Sequence, residues 1–144
     1  MEHRFVAAAA NSNFTLMTEL LASGVSVNAM DPMFGGRLAL NEAARLGLKK
    51  VVAFLIDHHA SLDAVDGIGL TALMHACSKG KKKGGEIAQL LVRSGAKVGY
   101  VRESDGMTAL KFALWGGCSE EVINELLSHG AKPPEAGFKV VRLV

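Results

Sequence analysis

His75 and Cys77, two residues apart, are the first pair in this 144-residue chain with metal-ligating chemistry. On a helix, positions i and i+2 point to different faces, so the pair cannot easily share one ion. Cys77 reads instead as a buried, inert thiol. His58, His59 and His129 fall at helix ends, where a histidine complements the negative end of the dipole and can cap the last carbonyls. Glu120 and Glu121 resemble paired carboxylates for acid–base work. Directly after Ser119, however, they read as the acidic first turn of a helix with a serine N-cap. The string Gly67-x-Gly69-x-x-Ala72 matches a dinucleotide-binding fingerprint without the strand and long βα unit that motif requires. Gly80 to Gly84 resembles a phosphate loop, but the Gly-Lys-Ser/Thr ending is missing. The sequence therefore offers no catalytic residue, no metal ligand set and no cofactor site, although a nucleophile and base could still converge from distant segments.

One charge cluster remains. Lys79, Lys81, Lys82 and Lys83 are expected in an inter-helix loop with Gly84 and Gly85. Such a loop could meet phosphates or an acidic protein surface, although its plainest reading is a solvated turn. No aromatic residues alternate through it, so it lacks the stacking platform that single-stranded nucleic acid needs. The chain as a whole carries 16 basic and 14 acidic residues, a net charge of +2, too balanced for a nucleic-acid or membrane-surface protein. No apolar run approaches the ~18 residues of a membrane span. Two cysteines are too few for a disulfide framework and suit free thiols in a reducing compartment, so a cytoplasmic protein is expected.

The elements that must position these residues follow from a repeat. Apolar residues are 49% of the chain but aromatic ones only 6%, so the core must be built from small and aliphatic side chains, chiefly 20 Ala and 18 Leu. Four stretches share one pattern: Leu16-Met17-x-x-Leu20-Leu21, Val51-Val52-x-x-Leu55-Ile56, Ile87-Ala88-x-x-Leu91-Val92 and Val122-Ile123-x-x-Leu126-Leu127. Each is followed at one distance by Gly24, His59, Gly95 or Gly130, spaced by 35, 36 and 35 residues. This is a helical stripe ending in a left-handed cap. A second stripe precedes each: Phe5-x-x-Ala8-Ala9, Leu40-x-x-Ala43-Ala44, Leu73-x-x-Ala76-Cys77 and Leu110-x-x-Ala113-Leu114. Glycines at 47, 80 and 116–117 mark the turn between the two helices. No such unit can bury its stripe alone, so the units must stack into an all-α solenoid.

These residues resemble the ankyrin repeat. Asp66 to Ala76 and Asp105 to Ala113 carry the finger turn and the Thr-x-Leu start of the first helix, and Arg37 to Ala44 is a weaker copy. The resemblance implies helix–turn–helix units joined by β-hairpin-like fingers. It divides the single domain 1–144 into a capping repeat 1–30, repeats at 31–65, 66–104 and 105–137, and a tail 138–144. Departures are expected to weaken the array. Ala39, Ala72 and Ala109 stand where the family has a helix-starting proline. Asn41, Met74 and Lys111 stand where it has the histidine that ties a helix start to its neighbour.

The resemblance also implies a function: non-catalytic binding of a protein partner through the concave surface of fingers and first helices, as an adaptor or an inhibitor. Its register selects Phe34, Arg37, Ile68, Leu70, Tyr100, Arg102 and Met107 on the fingers, and Arg45, Leu46, Lys79 and Trp115 at first-helix ends. The only Trp and only Tyr of the chain are among them, and Trp, Tyr and Arg dominate interface hot spots. A protein partner is expected, with no nucleic acid, membrane or cofactor, and a monomer without that partner. The alternatives are a phosphate- or acidic-surface-binding protein using the Lys79–Lys83 loop, or an enzyme whose site the sequence does not reveal. The apolar tail is expected to lie over the exposed face of the last repeat, with pairing to a partner's sheet edge or a mobile end as the alternatives.

Overall fold

The computed structural model describes residues 1–134, with the side chains of Phe34 and Lys81 excepted; the tail 138–144 lies outside the described residues. Eight α-helices follow one another in four antiparallel pairs: α1 (Glu2–Ala10) with α2 (Phe14–Ala22), α3 (Ala39–Leu46) with α4 (Lys49–Asp57), α5 (Ala72–Lys79) with α6 (Lys81–Arg93), and α7 (Ala109–Gly116) with α8 (Glu120–Ser128). Helices α1, α3, α5 and α7 pack in sequence as one layer, and α4, α6 and α8 stack behind them.

Each boundary has a local cause. The side chains of Asn13, Thr71, Thr108 and Ser119 accept hydrogen bonds from the backbone N–H three residues on, capping α2, α5, α7 and α8. Every second helix ends in the same way. The N–H groups of Val25, Ala60, Ala96 and Ala131 reach back to the carbonyls of Leu20, Leu55, Leu91 and Leu126, which is a Schellman cap. His59 takes the left-handed position there with φ +64°, as the sequence register requires, although it is not glycine.

The spacing predicts hairpin-like fingers, and one forms as a strand pair. Met30–Asp31 (β1) pairs antiparallel with Arg37–Leu38 (β2), closed by a 3-10 turn at Met33–Gly35. The other fingers close as turns, with the Asp66 N–H donating to the Leu70 carbonyl and the Arg102 N–H to the Met107 carbonyl.

The expectation that Lys81 to Gly85 forms a loop is corrected. These residues are the first turns of α6, and Gly80 alone makes the connection. The reason lies in Gly84 and Gly85. A Cβ at Gly84 would stand 2.4 Å from the Ala76 carbonyl oxygen, and one at Gly85 3.2 Å from a Val122 methyl. The glycine pair lets the start of α6 press against α5 and α8, and that packing outweighs their poor helix propensity.

The core runs unbroken from Phe5 through Leu40, Leu73 and Leu91 to Leu126. Ala43, Ala44, Ala76, Cys77 and Ala113 are fully buried at the contacts between first helices. Neighbouring pairs are also joined by polar ties. Asn28 Oδ1 accepts from the Ser61 N–H at 2.7 Å, and Asp63 Oδ1 accepts from the Lys97 N–H at 2.8 Å. Asn41, 2% exposed, donates from Nδ2 to the carbonyls of both Ala64 and Leu70, at 3.1 and 2.9 Å. The sequence suggests that this asparagine forfeits the link between units. Its amide instead makes one, because it is long enough to reach two carbonyls of the next finger.

Candidate functional site

The layer of first helices and fingers carries the surface that the sequence singles out. Trp115, at the end of α7, is 60% exposed, and Ile68, on the second finger, is also 60% exposed. Leu46, Arg45 and Lys79 are exposed at the ends of α3 and α5. Phe34 falls on the 3-10 turn of the first finger, and its side chain is outside the described part. Leu70 is corrected: at 7% exposure it belongs to the core. Its backbone is held by Asp66, whose Oδ1 accepts the Leu70 N–H at 3.1 Å, and this turns the side chain inward. Tyr100 and Met107 are half-buried against the same core, and the Tyr100 hydroxyl donates to the Gly69 carbonyl at 3.4 Å.

The three selected arginines each meet an acid that the sequence reading did not select. Glu42, buried on α3, accepts Arg45 through two nitrogens, at 2.5 and 3.1 Å, and Arg37 Nη1 at 2.8 Å. Arg102 pairs with Asp105, also donates to the Ile68 carbonyl at 3.2 Å, and lies 5.8 Å from the Phe112 ring centre. Between these groups His75 Nε2 meets Asp66 Oδ2 at 2.6 Å, with both side chains largely buried. A signal for these acids exists in hindsight. Glu42 lies three residues from Arg45, and Asp105 three from Arg102, the spacing of neighbours on a helix or tight turn.

These contacts set the acids' ionisation. Burial raises the Glu42 pKa, but the hydrogen bond and charge of Arg45, helped by Arg37, outweigh it and hold the carboxyl below its ordinary value. Burial likewise works against Asp66, and the His75 bond together with the Leu70 and Ile68 N–H groups more than offsets it. Both folded-state pKa values are depressed, so the stability these groups contribute is present above their ordinary values of 4.5 and 3.8. It is lost as pH falls through the lower, folded-state values. Acid titration of the folded chain, followed by far-UV circular dichroism, should show the midpoint of unfolding move to higher pH in Glu42→Gln, which has lost the carboxylate whose ionised form stabilises the fold. An unmoved midpoint would remove Glu42 from the acid transition.

Burial lifts the Cys118 thiol to about 11 and the Cys77 thiol well above its ordinary value, so neither is a ready nucleophile. Among the described residues no three His, Cys, Asp or Glu side chains converge on one point. A groove of about 840 Å³ between the third and fourth pairs is lined by Val65, Val92, Ala96, Val98, Tyr100 and His129 among others. His129 lies there with Nδ1 2.9 Å from the Glu125 carbonyl and 3.3 Å from the exposed Ser128 hydroxyl, at the end of α8.

A family model for ankyrin repeats matches in three copies, over residues 5–100 and 61–135. The chain belongs to the ankyrin-repeat family. Ankyrin repeats are in general protein–protein interaction modules and typically non-catalytic. In this ankyrin-repeat chain no helix among the described residues is long and apolar enough to cross a membrane. Sequence reasoning missed two further exposed apolar residues of the ankyrin fingers, Met30 and Val101. Val101 follows the selected Tyr100 directly, and the alternation of an extended segment could have found it.

Proposed function

We propose that this ankyrin-repeat chain is a non-catalytic, cytoplasmic protein-binding module, an adaptor or an inhibitor that masks a partner's surface. Binding would use the finger and first-helix layer. The observation that carries the reading is the exposure of Trp115 and Ile68 in a chain whose other large apolar side chains mostly serve the core. The arginines support it in a particular way. Arg45 and Arg102 are already held by Glu42 and Asp105, so little side-chain freedom is lost when a partner docks.

The test is a pull-down from the native source with wild type and with Trp115→Ala plus Arg45→Ala. If the pair are hot spots, affinity for the captured partner falls by about 2 kcal/mol, roughly 30-fold, with the fold unchanged by circular dichroism. Full affinity in the folded double variant would take this surface out of the reading.

A second reading rests on Lys79, Lys82 and Lys83. All three are exposed around the start of α6, and none makes an ion pair among the described residues. The stems of Lys79 and Lys83 lie over Gly47, at the end of α3. An acidic or phosphate-bearing partner would suit them. Its mark would be steep salt dependence of binding; affinity that ignores salt would count against it.

A further inference from the structure

The last described helix pair differs from the inner ones in what it leaves open. Inside the array, the slot before the inter-helix turn holds Ala44 and Cys77, both fully buried under the next pair. In α7 the same slot holds Leu114, which is only half-buried. In the second helices, Val52 and Ala88 are fully buried, whereas Ile123 of α8 stands half-open. Leu127, in the slot of Ile56 and Val92, is 38% exposed. Met107, in the slot of the buried Leu70, is likewise half-open.

The sizes matter as much as the exposure. Small residues in the inner first-helix slots, Ala9, Ala44 and Cys77, let the next first helix come close. Leu114 is larger and holds the next element further off, so this face is unsuited to a fifth pair in the same register. A thinner, extended segment fits it better. The chain supplies one. After Ala131, whose N–H closes the α8 cap, Pro133 and Pro134 prevent further helix, and ten residues follow. Five of the last seven are apolar: Phe138, Val140, Val141, Leu143 and Val144. Ten extended residues reach about 33 Å. The helices to be crossed are only about 12–14 Å long.

We infer that the segment 138–144 docks on this open face and caps the array within the same molecule, using Leu114, Ile123 and Leu127 as its seat. This proposal does not depend on the partner-binding reading, since its face lies at the end of the array.

Hydrogen exchange of the full chain, read by mass spectrometry or NMR, tests it. The amides of 138–144 should exchange at least 10-fold more slowly than in an unstructured peptide, equally at high and low protein concentration. Leu127→Asp on the seat and Val141→Asp on the tail should each abolish that protection while leaving α1 to α4 protected. Exchange at the unstructured rate in wild type would overturn the proposal. Protection that vanishes on dilution would also overturn it and assign the face to a second copy of the chain. Should Leu127→Asp fail to fold, the double variant Val140→Asp with Val141→Asp decides, because it places a charge on each face of an extended segment and protection that survives it excludes an apolar seat for the tail.

Discussion

Gly80→Ala is expected to destabilise the chain strongly. Two effects act on one position. Gly80 has φ +61° and ψ −164°, a backbone region essentially closed to residues with a Cβ, at a cost of ~1–3 kcal/mol. The added Cβ would also lie 1.9 Å from the Gly116 carbonyl oxygen and 2.7 Å from its carbon. Those atoms are backbone of α7, so relief requires moving α7 away from α5, and overpacking of this kind costs a further ~1–3 kcal/mol. Together the loss is about 4 kcal/mol, a fall in melting temperature of ~10–20 °C for a domain of this size. Urea unfolding followed by circular dichroism measures it. Gly99→Ala is the control, since nothing lies within 4 Å of a Cβ there and its φ is outside the left-handed region. Its cost should stay within ~0.5 kcal/mol. If the two variants unfold together, the close approach of α5 and α7 is not what Gly80 serves.

The same glycine shows what the sequence could and could not reveal. Its place in the 33- to 37-residue rhythm of Gly47, Gly80 and Gly117 identified a turn between helices, and the turn is there. The rhythm could not show that the turn has shrunk to one residue. Lys81 to Gly85 reads as loop because glycine and clustered lysines are poor helix starters. What overrides that local preference is non-local: the Ala76 carbonyl and the Val122 methyl, 8 and 37 residues away, leave room only for hydrogen at Gly84 and Gly85. Apolar period and caps are local properties, so the helix pairs were legible. The face that carries Trp115 and Ile68 was legible through register, because a side chain too large for its slot must point elsewhere. Leu70 failed the same logic, because its direction is set by the Asp66 side chain, a contact that no stripe pattern contains. The acids beneath the arginines were hidden for a related reason: Glu42 occupies a helix slot that reads as surface, yet it is 5% exposed in the fold and accepts from both arginines.

Asn41→Asp is the second substitution with a large expected effect, and it changes no shape. The two groups that face Asn41 Nδ2 are the carbonyl oxygens of Ala64 and Leu70, so only a donor satisfies the site. A carboxylate there would place a charge against two acceptors at a position 2% exposed. The Leu70 carbonyl keeps the Asp66 N–H, but leaving the Ala64 carbonyl unpaired costs ~1–3 kcal/mol, and an uncompensated buried charge costs more. The expected loss at pH 7 is about 3–5 kcal/mol relative to wild type. Its pH dependence identifies the cause. Burial and the facing carbonyls raise the folded-state pKa of the new carboxyl above the ~3.9 of an unfolded aspartate. The penalty is therefore smallest below that value, where the protonated acid can donate one of the two lost bonds. It grows as pH rises from there and levels off once pH exceeds the raised folded-state pKa. Denaturant unfolding of variant and wild type between pH 3.5 and 8, compared as a difference at each pH, isolates this from the opposite trend of Glu42 and Asp66. A penalty that does not change with pH would mean that Asn41 acts by shape alone, and that the link between the second and third helix pairs does not run through its amide.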